Sequence, residues 1–280
     1  ALTIPFEEDT YSSNNGFLKL GYEFNTQFRI DAFLNYDAFD YTFDAGAFND
    51  SDINLGNQEQ FRIGIKPQLK YKKGELFLNA SINSLDRSFE SFNSFSGGTN
   101  LFVYKGNSVN LDLVNKYEFT KNFQLITGIN YQKHENESIS DFGNIDPDLA
   151  NFNVLDPYVS AVYITDFGLS INAGGRLNIH SNYGNNFVYD TNLAFGIVKN
   201  ETINLKLISS YGTAFIAPSL YQLFSDYGAT NLAPETNRTF EFGFDSKLGK
   251  QWALSAVYYN RVEENKVIFL NLPTPPYGIY

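Results

Sequence analysis

The residues whose types could do chemistry are few: two acidic stretches and two isolated histidines. In "NDSDIN", Asp50, Asp52 and Asn54 alternate as oxygen donors, and "DFGNIDPD" offers Asp141, Asn144, Asp146 and Asp148 in the same way. Clustered carboxylate and amide oxygens suit Ca2+. Neither stretch has the distal Glu or the spacing of an EF-hand, and Asp and Asn are also turn formers, so solvated turns compete with a calcium site. There is no Cys, which excludes a thiolate nucleophile, a disulfide within the chain and a Cys-ligated metal. Only His134 and His180 can serve as an imidazole base. A Ser/His/Asp set would have to arise by chance from abundant Ser and Asp, and no nucleophile-elbow sequence surrounds any Ser. The expectation is no catalysis.

What must position these groups is a chain of unusual composition. Its 280 residues include 27 Phe, 19 Tyr and one Trp, with a net charge of -11. An acidic chain has no basic face for phosphates, so a nucleic-acid partner is not expected. No run reaches the ~18 consecutive apolar residues of a membrane-spanning helix. The opening "ALTIPFEEDT" lacks the basic start and apolar run of a signal peptide, which suggests a removed signal or an internal piece.

Alternation of apolar and polar residues fixes the secondary structure, because successive side chains on a strand point to opposite faces. Leu169, Ile171, Ala173, Gly175, Leu177 and Ile179 share one face, and Ser170, Asn172, Gly174, Arg176, Asn178 and His180 the other. The same split separates Phe61, Ile63, Ile65, Pro67 and Leu69 from Arg62, Gly64, Lys66, Gln68 and Lys70. About twelve such strands are expected, many near the ~9 to 11 residues that a tilted strand needs to cross a bilayer. Short connections ("FNTQ", "KKGE", "FTKN", "TDFG", "KNET", "LGKQ") alternate with excursions around 40–58, 88–102, 134–152, 181–186 and 214–236. An outer-membrane barrel has such tight turns at one end and longer loops at the other.

Rings recur beside the short turns. Tyr22, Tyr71, Tyr117 and Tyr163 precede them, and Phe28, Phe77, Phe123 and Trp252 follow; on the apolar face they would form an interfacial girdle. Arg29, Arg62, Lys66, Lys70, Arg176, Lys206, Arg238 and Glu241 are expected on the wet interior. The fold class is therefore all-β, an antiparallel transmembrane β-barrel. A soluble sandwich, with the apolar face buried by a second sheet, is the competing architecture. Open edges cannot lie in hydrocarbon, and the Pro-rich ending "NLPTPPYGIY" reads as a loop, so residues 1–280 are expected to be part of a larger outer-membrane barrel domain.

One passage breaks the alternation, "GTAFIAPSLYQLF" followed by "NLAPETNRTFEFGF". Pro218 suits the first position of a short helical turn, and Leu220, Leu223 and Phe224 give that turn an apolar side. Phe215, Tyr221, Phe224 and Tyr227 are the candidate ligand contacts, since rings give large contact area with few rotors. The passage resembles a spaced pattern of TonB-dependent outer-membrane receptors. The resemblance is carried by Gly212, Phe215, Ala217, Pro218, Leu220, Leu223, Asn231, Leu232, Pro234, Glu235, Glu241 and Gly243. It implies a 22-stranded barrel, with about twelve strands here, and a plug domain and further strands outside this chain. It also implies a place in the bacterial outer membrane and TonB as a partner acting through the plug. The imported ligand would be scarce, such as a ferric siderophore or a corrinoid, and Ca2+ in external loops would be the only cofactor. A passive porin is the alternative reading, followed by a barrel enzyme or an adhesin.

Overall fold

In the computed structural model, which describes residues 8–44, 53–93, 97–141 and 143–280, the chain runs up and down as one antiparallel sheet. In chain order the elements are β1 (Tyr11–Glu23), β2 (Phe28–Thr42), β3 (Leu55–Tyr71), β4 (Gly74–Asn93), β5 (Gly98–Thr120), β6 (Phe123–Ser140), β7 (Gly143–Ile145), β8 (Asn151–Ile164), β9 (Leu169–His180), β10 (Gly184–Lys199), β11 (Ile203–Ile216), α1 (Leu220–Phe224), β12 (Glu235–Leu248), β13 (Trp252–Glu264), β14 (Leu270–Asn271) and β15 (Gly278–Ile279). Each long strand pairs with the next, β7 is a short extra partner of β6, and β14 pairs only with β15. Consecutive antiparallel pairing needs only local connections, which is why a simple repeat of strand and turn suffices to specify it.

The turns at one end are built by side chains that hold the backbone. Asn25 Oδ1 accepts from the N–H groups of Gln27 and Phe28, both at 2.8 Å. Asn200 Oδ1 repeats this with Thr202 and Ile203 at 2.9 and 2.7 Å. Both are Asx turns, the local hydrogen bonding for which Asn is favoured in loops. Gly168 (φ 92°) and Gly249 (φ 60°) occupy the left-handed region at two other turns of this end, where a Cβ would be strained.

At the opposite end the strands extend further than the alternation suggested. The expected excursion at 88–102 is mostly strand, since β4 reaches Asn93 and β5 begins at Gly98. β5 is 23 residues long and β4 is 20, about twice the ~9 to 11 residues that hydrocarbon requires. Polar upper strands look like loops in sequence, but ladder hydrogen bonds hold them as strands. The apolar face records the crossing: on β3 it runs Leu69, Pro67, Ile65, Ile63 and Phe61, then turns to Glu59 and Asn57. Ile63 is 44% exposed and Ile65 45%. Among the described residues no second sheet covers this face; the only other sheet is the β14–β15 pair. The sandwich alternative therefore fails, and lipid is the medium that such a surface fits.

The girdle is present at the short-turn end of that face. Tyr22, Phe24 and Phe28 are linked at 4.7 and 5.2 Å. Tyr71, Tyr117, Phe119, Phe123 and Tyr163 form a second run at 6.2, 4.6, 5.4 and 6.4 Å. Two expectations need correction. Phe77 stands opposite Gln68 and so faces the polar side, its neighbour Leu76 taking the outer position; proximity to a turn does not decide the face, parity does. Arg238 has the parity of Phe240 and Phe242, which lie opposite Tyr211 and Ser209, so it projects from the apolar face above the lipid zone and not into the interior.

Candidate functional site

The passage that breaks the alternation builds a small helix and fastens it down. Ser219 is the N-cap of α1: its Oγ accepts from Gln222 N–H at 3.2 Å, and Gln222 Oε1 accepts from Ser219 N–H at 2.8 Å. This reciprocal capping box satisfies two donors that a five-residue helix leaves open. Pro218 is buried and precedes the cap, so it guides entry to the helix without being its first residue. Leu220 and Leu223 are 8% and 5% exposed. Leu220 packs with Ile145 and Ala150, and Phe152 and Phe224 lie against the cluster. A Cβ at Gly228 would sit 2.7 Å from the Leu223 carbonyl, which is why the return from the helix needs glycine.

Most residues of the spaced pattern have mechanical roles. Leu232 O accepts from the Tyr183 hydroxyl at 3.2 Å, Pro234 O from Asn265 Nδ2 at 3.3 Å, and Glu235 Oε1 from Val267 N–H at 2.6 Å. Lower in the wall Glu241 Oε2 accepts from the Ser210 hydroxyl at 3.0 Å. A Cβ at Gly243 would come 2.3 Å from Ala256 O. Ala217 is half-buried just after β11, Asn231 is exposed in the turn, and Gly212 lies in β11 opposite Asp190.

Of the four rings expected to meet a ligand, two lie elsewhere. Phe215 belongs to β11, opposite Thr236 and with the parity of Tyr211, so it sits on the apolar face. Phe224 packs inward on the cluster around Leu220. Tyr221 and Tyr227 remain 40% and 38% exposed. Tyr221 meets Tyr280 at 6.2 Å, Tyr227 meets Phe269 at 5.7 Å, and Phe269 meets Tyr280 at 5.0 Å. Burial first, and then the nearby Tyr104, Tyr280, Tyr227 and Asp226, raise the Tyr221 phenol above its ordinary 10.0. Phe269 and Tyr280 give no signal in the sequence, because nothing in a Pro-rich stretch shows which loop it will fold against.

A larger feature is equally silent in the sequence. On the polar face near the external end, Tyr11, Phe39, Tyr41, Phe43 and Phe89 follow one another at 6.0, 6.0, 5.8 and 6.4 Å. Phe89 then stacks on Phe102 at 4.6 Å and lies 6.0 Å from Tyr104. Tyr104 is also among the groups that raise the Tyr221 phenol, so the upper end of the arc lies in the neighbourhood of the loop rings. Arg87 lies 5.8 Å over Phe89 and donates to the Tyr41 hydroxyl at 3.3 Å, a cation on a ring face. Glycine gives the arc its room: a Cβ at Gly56 would fall 2.2 Å from Tyr41 Cζ.

The two histidines flank one ring and do not converge. Phe152 lies 4.9 Å from His134 on one side and 4.9 Å from His180 on the other. His180 is 4% exposed; its Nδ1 accepts from Asn182 N–H at 3.1 Å, while its Nε2 and Asn178 Oδ1 have no partner. Nearby, Asp156 accepts from Asn178 at 2.9 Å and Arg176 at 3.3 Å, and Tyr158 crosses β6 above Gly128 to donate to Asp112 at 3.1 Å. These bonds brace the wall; no hydroxyl nucleophile is hydrogen-bonded to either imidazole among the described residues.

The described residues of the acidic stretches accept backbone N–H groups. Asn54 is 1% exposed, and its Oδ1 accepts from Phe92 N–H at 2.7 Å. Asp141 Oδ2 accepts from Leu101 N–H, Asn144 Oδ1 from Ser140 N–H and Asp146 Oδ1 from Asp148 N–H. Asp50 and Asp52 lie outside the described residues. Among the described residues no three His, Cys, Asp or Glu side chains form a group able to hold a metal ion.

With this geometry in view, the sequence pattern of the family "TonB dependent receptor-like, beta-barrel" matches residues 3–279. The copper transporter OprC superposes with a TM-score of 0.76 at 13% identity, over 93% of this chain and 46% of its own. A ferric enterobactin receptor of Pseudomonas aeruginosa, PfeA, gives 0.72 at 13% identity, over 96% and 45%. The RagAB peptide importer gives 0.68 at 14%, over 95% and 41%. The chain thus spans less than half the length of the solved structures it matches, and at these identities the likeness shows the fold alone.

Proposed function

Since this chain belongs to the TonB-dependent receptor β-barrel family, whose barrels lie in the outer membrane of Gram-negative bacteria, we propose that it forms part of the barrel wall of an importer that captures a scarce ligand at its external mouth. The observation that carries this reading is the arc of rings on the polar face. Elsewhere that face is lined largely by Ser, Asn, Gln and charged residues, as a wetted lumen requires. Rings there have no lipid to face; they run from β1 to Tyr104, and a second set in the loops joins the exposed Tyr221 and Tyr227 through Tyr280 and Phe269. A rigid aromatic surface with a few polar handles binds small, partly apolar ligands well. The ligand class we favour is a metal chelate of the siderophore or corrinoid type, delivered inward when TonB acts through a plug domain outside this chain. Catalysis has no part in this reading.

Uptake by cells carrying the full-length receptor, with ferric siderophores and corrinoids offered in turn, tests the reading. Uptake that requires TonB supports it and identifies the ligand class. Entry of small solutes irrespective of TonB would make the barrel a passive channel.

A further inference from the structure

The arc of rings at the external mouth holds one guanidinium, and the fold fixes where it stands. Gly56 of β3 lies opposite both Tyr41 of β2 and Phe89 of β4. With no side chain there, the Tyr41 ring lies across β3. Its hydroxyl accepts from Arg87 Nη2 of β4 at 3.3 Å, and the Arg87 guanidinium carbon lies 5.8 Å from the Phe89 ring centre. Tyr104 of β5 stands opposite Arg87 in register and so shares its face. Among the described residues Arg87 is the only cation over a ring of the arc, and it is exposed.

No acid answers this charge. Asp86 is next to Arg87 in sequence but has the opposite parity, on the outer face between Glu59 and Lys105. Asp37 shares the inner face and accepts from Asn35 Nδ2. Asp226, in the loop after α1, acts on the Tyr104 phenol, but its carboxylate lies over Gly143. No ion pair joins Arg87 to these or to any other carboxylate among the described residues. Of its guanidinium N–H donors, one is given to Tyr41, and no other has an acceptor among the described residues. A ring and a hydroxyl thus aim a planar, permanently charged fork whose remaining donors are free, the arrangement that matches a planar anion.

We infer that Arg87 selects the charge of the imported ligand, so that the mouth takes a chelate of net negative charge. Carboxylate or catecholate oxygens of the chelate meet the guanidinium, and its apolar part lies on Phe89 and Tyr104. A neutral chelate or a corrinoid gains the rings alone. In a chain of net charge -11 the wall as a whole repels an anion, which leaves the local cation to decide whether one is held. The inference rests on the importer reading and narrows its ligand class.

The test is equilibrium binding to the full-length receptor in detergent. The probes are a ferric tris-catecholate and ferric citrate, both anionic, with a neutral ferric tris-hydroxamate and cobalamin as the uncharged comparison. The receptor should hold at least one anionic chelate about tenfold or more tighter than the neutral ones; which of the two it prefers identifies the anionic group. Salt should erode that margin. Arg87→Gln should remove it and leave the neutral chelates unchanged, while Arg87→Lys keeps part of it, since the charge survives without the fork. Neutral probes bound as tightly as either anion, no binding of either anion, or an equal loss of anionic and neutral chelates in Arg87→Gln would each overturn the inference. TonB-dependent uptake of a corrinoid in preference to both anions would sink it and leave the importer reading standing, whereas solute entry irrespective of TonB would strike the importer reading itself.

Discussion

Two aromatic zones lie at opposite ends and on opposite faces of one sheet, and their difference is instructive. The girdle from Tyr22 to Tyr163 faces outward beside the short turns. The arc from Tyr11 to Tyr104 faces inward near the external loops. Residue type is the same in both; what differs is the medium. Outward rings sit at the boundary of hydrocarbon and water and anchor the wall at a fixed depth. Inward rings have no such boundary, and the role we propose for them is contact with another molecule.

The comparison is broken most directly by removing rings from each zone of the full-length receptor. Tyr104→Ala with Tyr221→Ala should weaken ligand binding at least tenfold, about 1.4 kcal/mol or more, with the thermal midpoint little changed. Tyr71→Ala with Tyr117→Ala should do the reverse, lowering the midpoint by several degrees and leaving affinity intact. Equal effects on binding from both pairs would end the distinction.

Smaller changes sharpen it. Each zone has a glycine beneath a ring: a Cβ at Gly56 would meet Tyr41 Cζ at 2.2 Å, and one at Gly74 would meet the Tyr71 hydroxyl at 2.5 Å and Lys116 O at 2.3 Å. Gly74→Ala should cost about 1–3 kcal/mol of stability by overpacking, measured by denaturant unfolding in micelles. Gly56→Ala should tilt the Tyr41 ring and lower affinity severalfold, since the external strand ends can yield. Trp252, the single tryptophan, is 73% exposed at the short-turn end of the apolar face. Its fluorescence in bilayers should be quenched by brominated lipids and little by aqueous iodide.

The smallest effect concerns pH. The Tyr221 phenol is raised above 10.0, chiefly by burial, so the folded loop favours the neutral hydroxyl. That contribution is present below the unfolded value and is lost as pH rises through the folded one. The loops around α1 should therefore loosen only above about pH 10, seen as a rise in protease cleavage within residues 217–234. Loosening at neutral pH would show that Tyr221 is not packed as described.

Much of the wall is legible in the amino-acid sequence. The runs of Ile63, Ile65 and Leu69 and of Leu169, Ile171 and Leu177 reveal strand, face and bilayer because alternation is local and has a period of two. Phe77 and Arg238 depart from expectation because parity outweighs both proximity to a turn and the pull of charge toward a wet interior. Upper strand segments such as 88–93 and 98–102 resemble loops because Ser, Asn, Gly and Thr interrupt the apolar alternation there.

The sequence by itself determined the all-β class, the strand order and the outward apolar face. It also determined the family, through the spaced residues from Gly212 to Gly243. Only the tertiary structure decided which rings meet: that Phe224 turns inward, that Tyr221 finds Tyr280, that Phe89 stacks on Phe102, and that Lys66 and Lys116 share Phe77. The reason is range. Alternation and turn chemistry act between neighbours in the chain, whereas these contacts join residues from different strands and loops, brought together by register and by the folding of the external loops.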